Sequence, residues 1–105
     1  MAASYDRVFL EVMPAARALI AKRLITSYGY SQKSAAEKLG ITQPAVSQYK
    51  RDLRGGKTEL LSEHEELATN ISAIAKRIAG GEMTIGDVVA ELFDLCRSVY
   101  EKEKG

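Results

Sequence analysis

Tryptophan is missing from this 105-residue chain, and histidine and cysteine occur once each, as His64 and Cys96. A single cysteine excludes an internal disulfide and any zinc site that needs several cysteines of one chain. With one histidine, one thiol, no phosphate-binding glycine loop and no carboxylates at metal-ligand spacing, the sequence offers little from which to assemble an enzyme. No catalytic residue, metal or cofactor is therefore expected. His64 at a helix start reads as a surface residue, and Cys96 on an apolar stripe as a packed thiol. Long apolar runs are lacking too, none approaching the roughly 20 residues of a membrane span. Met1 to Asp6 do not show the basic-then-apolar pattern of a secretion signal, so a cytoplasmic protein without membrane contact is expected.

What is present is an ordinary globular composition, 46% apolar and 28% charged, in a length that suits one domain or a small domain with an oligomerisation segment. A core of this size gives limited burial, so sharing it with a second copy would be natural. The net charge of +1 conceals an asymmetry. Ten Lys/Arg are set against five Asp/Glu up to Leu60, and five against nine from Leu61 onward. A basic front and an acidic back imply that only the front meets a polyanion.

Helix signals divide the chain into five stretches, with no convincing strand. Pro14 suits the first turn of a helix from Ala15 to about Tyr28, because its missing N–H would be unpaired there. Gly29 ends that helix. Ahead of it, Val8, Phe9, Val12 and Met13 fit one face of a short helix or an extended arm, with the helix preferred; Met13, preceding proline, is biased from helical angles. Ser31 caps Gln32 to Leu39, which stops at Gly40, and Thr42 caps Gln43 to about Leu53. Ser62 with Glu65 forms a capping box for about Glu63 to Ala79, and Thr84 with Asp87 repeats the arrangement for about Ile85 to Glu103. The expected fold is all-α: five helices, with a helix-turn-helix in residues 1–57 and a C-terminal helical hairpin in 58–105.

The segment QKSAAEKLGITQPAVSQYK, Gln32 to Lys50, carries the functional signal. Ala36 is small where two helices would cross, and Gly40 sits where the turn needs positive φ. Ala35, Leu39, Ile41, Val46 and Tyr49 are spaced to point inward and fix the interhelical angle. In a helix-turn-helix the second helix enters the major groove and its first residues meet base edges. Those positions are Thr42, Gln43, Pro44, Ser47, Gln48 and Arg51. A glutamine can pair with adenine, an arginine with guanine, and Pro44 can touch a thymine methyl. Ser31, Gln32, Lys33, Lys50, Arg54 and Lys57 flank this face and suit phosphates, helped by the N–H groups that start the Gln32 helix. Tyr28 and Tyr30 bracket the preceding turn; Tyr30 packs there or contacts the DNA backbone.

At these residues the chain resembles the helix-turn-helix family of lambda repressor and Cro type, with Gln32, Ala36, Gly40, Val46 and Ser47 at the marker positions. From Pro14 to Gly56 it is also similar to small archaeal transcription regulators and to a domain fused to archaeal thiamine-phosphate synthases. The resemblance implies double-stranded DNA as partner. That group often ends in a cysteine pair, whereas here LFDLCRSVYEKEKG holds Cys96 alone, which argues against a metal or redox switch. No enzyme domain follows, so thiamine chemistry is not implied.

The hairpin carries an apolar stripe, Ile85, Val88, Val89, Leu92, Phe93, Cys96, Val99 and Tyr100, broad enough to meet both its neighbour and a second copy. Ile85, Val88, Val89, Leu92, Phe93, Cys96 and Val99 are accordingly the expected homodimer contacts, the alternative being a monomer with this stripe packed internally. Two function classes remain open from sequence. One is a sequence-specific transcription regulator; the other is a protein-interaction module, such as an antitoxin-like partner or the regulatory subunit of an enzyme. Any small-molecule effector is unspecified.

Overall fold

The computed structural model describes residues 5–54 and 65–104, the side chains of 49–54 and 104 excepted. Among them are five helices and no strand. They are α1, Tyr5–Tyr28; α2, Gln32–Leu39; α3, Gln43–Arg54; α4, Glu65–Ala79; and α5, Ile85–Lys104.

The first helix departs from expectation. Instead of starting at Pro14, it runs unbroken for 24 residues with Pro14 inside it, and Met13 is helical despite preceding a proline. Burial explains this. Val8, Val12 and Met13 are each 3% exposed or less. Burying such side chains is worth roughly 1.5–3 kcal/mol apiece, which together outweighs the roughly 3 kcal/mol of a helix-interior proline. The carbonyl that Pro14 cannot serve belongs to Leu10, which lies at the surface.

The remaining boundaries follow their caps. Ser31 Oγ accepts from the Ser34 N–H at 3.0 Å, and Thr42 Oγ1 from the Ala45 N–H at 3.3 Å. At α5 the cap is reciprocal: the Thr84 N–H donates to Asp87 Oδ2 at 3.0 Å and the Asp87 N–H to Thr84 Oγ1 at 3.1 Å. The Thr84 N–H first, and its hydroxyl second, bond the charged form and hold the Asp87 carboxyl below its ordinary value. Helix α4 starts at Glu65; the Ser62 cap expected for it, and His64, lie outside the described residues.

Helix α1 packs against all four others. Ile20, Leu24, Leu39, Val46, Leu67, Ile78 and Leu92 are all but inaccessible and belong to one continuous core. The two regions read from sequence therefore share α1 as a common wall, and the expected boundary at 57/58 falls outside the described residues. Across the hairpin, Arg77 pairs with Glu91 at 2.8 Å and Lys102 with Glu66 at 2.7 Å. Half-exposed pairs contribute about 0–1 kcal/mol, so the burial of Ile74, Ile78, Leu92 and Leu95 holds the hairpin.

Candidate nucleic-acid interface

The interface is built on two short helices whose relative position is fixed from three sides. Leu39 and Val46, each 2% exposed, anchor α2 and α3 in the core, and Ala35 and Ala36 let the helices approach it closely. Between them Gly40 takes φ +69°; its N–H caps the carbonyls of Ala36 and Glu37, and the Ile41 N–H returns to the Ala36 carbonyl at 3.0 Å. The third constraint is polar. Ser47 Oγ on α3 donates to Gln32 Oε1 at the start of α2 at 2.9 Å, half-buried.

This Gln32–Ser47 brace joins a residue expected at phosphate to one expected at a base. Sequence reasoning placed both on the interface and missed their bond. The only signal for it was their common membership of the motif, fifteen residues apart. Both side chains are half-buried.

Thr42, Gln43, Pro44 and Gln48 are exposed at the start of α3, and Ser31 and Lys33 at the start of α2. The structure thus brings the expected base-reading and phosphate-binding residues to adjoining helix starts. Lys50, Arg51 and Arg54 lie on α3, but their side chains, like that of Tyr49, are outside the described set, as is Lys57 entirely. Tyr30 is half-buried against the core, and its N–H closes the end of α1 on the Leu24 carbonyl at 3.1 Å. A further contact was invisible in the sequence. Ile85, at the start of α5, rests on the turn: its Cγ2 lies 2.9 Å from where a Cβ on Gly40 would stand.

The expected dimer stripe divides in two. Val88, Leu92, Cys96 and Val99 are buried inside the single chain at 2% exposure or less, whereas Ile85 and Phe93 stand 51% and 45% exposed. Val89 is half-buried. Burial also raises the Cys96 thiol above its ordinary pKa, partly countered by the Arg17 cation. Among the described residues no three His, Cys, Asp or Glu side chains are grouped as metal ligands, and no helix is long and apolar enough to cross a membrane.

Residues 19–58, covering the second half of α1 with α2 and α3, match the helix-turn-helix family model. No curated protein and no solved structure matches the chain significantly. The α2–turn–α3 geometry falls within the matched residues: this segment is a helix-turn-helix, the unit of a DNA-binding family.

Proposed function

We propose that the chain binds specific DNA sequences as a homodimer, with α3 in the major groove. The observation that carries this reading is the exposed first turn of α3, held on a braced pair of helices. Thr42, Gln43 and Pro44 stand exposed there, and Gln48 on the turn that follows. Gln43 and Gln48 suit adenine, Pro44 suits a thymine methyl, and Arg51, one turn beyond Gln48 on the same helix, suits guanine. Ser47 gives its proton to Gln32 and keeps its lone pairs for a base donor. Lys33 and the N–H groups at the start of α2 suit one phosphate run, while Lys50, Arg54 and Lys57 suit another.

Dimerisation is supported by what remains exposed. Ile85 and Phe93 are large apolar side chains half in solvent, and Phe93 lies tilted against Phe9 of α1 with ring centroids 5.4 Å apart. Tyr5 extends this surface through Phe9 and Tyr100. A second copy joined here supplies the second half-site that helix-turn-helix regulators commonly need.

Selection from random-sequence duplexes at two salt concentrations tests the reading. Enrichment of a palindrome, its half-sites about one helical turn apart or a multiple of it, is the expected result. Salt-sensitive binding without enrichment would leave a nonspecific binder, and no binding even at low salt would favour an interaction module.

A further inference from the structure

Between α1 and α4 lies a groove that the DNA-binding reading does not use. It consists of two adjoining hollows of about 390 and 220 Å³ that share Arg23 and Ser72. Three cations line it: Lys22 and Arg23 from α1, and Lys76 from α4. Ser27 and Tyr28 line the first hollow, Leu19 and Ile71 add apolar surface to the second, and Ser72 lines both. No carboxylate lines either hollow.

Three like charges along one groove repel one another when it is empty, and a multiply charged anion relieves that repulsion. Arg23 is already oriented, because its Nη2 donates to Ser72 Oγ at 2.6 Å across the groove. A guanidinium held at one corner keeps the rest of its fork for oxygens, and hydroxyls supply neutral donors beside it. From this arrangement we propose that the α1–α4 groove is a binding site for a small phosphate-bearing anion. Phosphate fits better than a single carboxylate, since Arg23 is joined by Lys76 in one hollow and by Lys22 in the other, and phosphate oxygens accept from several directions at once. The concave shape and apolar surface fit a compact molecule with a nonpolar portion, rather than a stretch of DNA backbone. The site also adjoins the DNA-reading unit: Tyr28 ends α1, and only Gly29, Tyr30 and Ser31 separate it from α2.

The test is titration of the ¹⁵N-labelled full-length chain with inorganic pyrophosphate, against sodium chloride at matched ionic strength, with no DNA present. Saturable amide shifts at Arg23, Ser27, Ser72 and Lys76 are expected with pyrophosphate alone. The double variant Arg23→Gln/Lys76→Gln should weaken them at least tenfold. Lys76→Glu, a change at an exposed position that leaves the Arg23–Ser72 bond in place, should weaken them as well and guards against a folding artefact. Shifts confined to the start of α2, or none beyond the chloride control, would overturn the site. So would groove shifts that arise only on adding a duplex, which would assign these cations to DNA phosphates. Because the first arm contains no DNA, its result stands whether or not the chain selects an operator.

Discussion

Gly40 and Gly29 both hold positive φ, +69° and +72°, yet they are not equivalent. A Cβ at Gly29 meets nothing within 4 Å, whereas one at Gly40 strikes Ile85 Cγ2 at 2.9 Å. Gly29→Ala should therefore cost only the left-handed strain, on the order of 1 kcal/mol. Gly40→Ala should cost about twice as much, and Ile85→Ala in the same chain should recover part of the difference. Urea denaturation of the four variants, including the Gly40/Ile85 pair, measures that coupling. DNA binding separates residues in another way. Replacing Gln43 or Gln48 with alanine should cost about 1–3 kcal/mol and relax preference at one base position. Lys33→Ala should instead weaken all sequences alike and flatten the salt dependence by about one unit of slope. If both kinds of change acted alike in competition binding, the division into base and phosphate contacts would be wrong. Cys96 offers a simpler check: buried and with a raised pKa, it should stay inert to a thiol reagent at neutral pH until the chain unfolds.

At the scale of the element, caps and proline pull in different directions. The start of α5 depends on an ionised Asp87 that accepts from the Thr84 N–H. A carboxyl with a lowered folded pKa contributes stability that is present above its unfolded value of 3.8 and lost as pH falls through the folded one. The stability of the native chain should thus fall more steeply below about pH 4 than that of Asp87→Asn, measured by denaturant titration at several pH values. In α1, Pro14→Ala restores the missing N–H and should raise stability by about 1–2 kcal/mol, less than the full proline penalty because the unfolded chain also gains freedom. These two helices mark what was legible beforehand. Ser31, Thr42 and Thr84 announce their helices through bonds within three residues, so sequence spacing suffices. The first half of α1 is decided by Val8 and Val12 meeting a core made by distant segments, and a local rule about proline cannot register that. For the same reason the interface could be read position by position, while the Gln32–Ser47 brace and the seat of Ile85 on Gly40, contacts between separate elements, could not.

For the whole molecule, α1 is the wall common to the α2–α3 pair and the hairpin. Removing residues 58–105 would strip cover from Val8, Val12, Met13 and Leu19 at once, so the helix-turn-helix region alone should lose cooperative unfolding when followed by circular dichroism. The proposed dimer makes a separate demand. Phe93→Glu with Ile85→Glu leaves the buried residues of α5 untouched and should reduce the light-scattering mass to that of one 11.5 kDa chain at tens of micromolar. Helical content should be retained. An unchanged dimer would show that the copies meet elsewhere, and a monomeric parent chain would remove the need for an interface here.

Tyr5, the first residue of α1, packs edge-on against Tyr100 near the end of α5, with ring centroids 5.4 Å apart. The two extremities of the described fold are thus neighbours, although the chain visits every other helix between them. That proximity makes the order of the helices along the chain separable from their arrangement in space. A circular permutant with a short flexible linker between the old ends, opened at the exposed Gly80–Gly81 turn, would begin with α5 and finish with α4. It would keep α1 to α3 contiguous and move the chain ends to the tip of the hairpin.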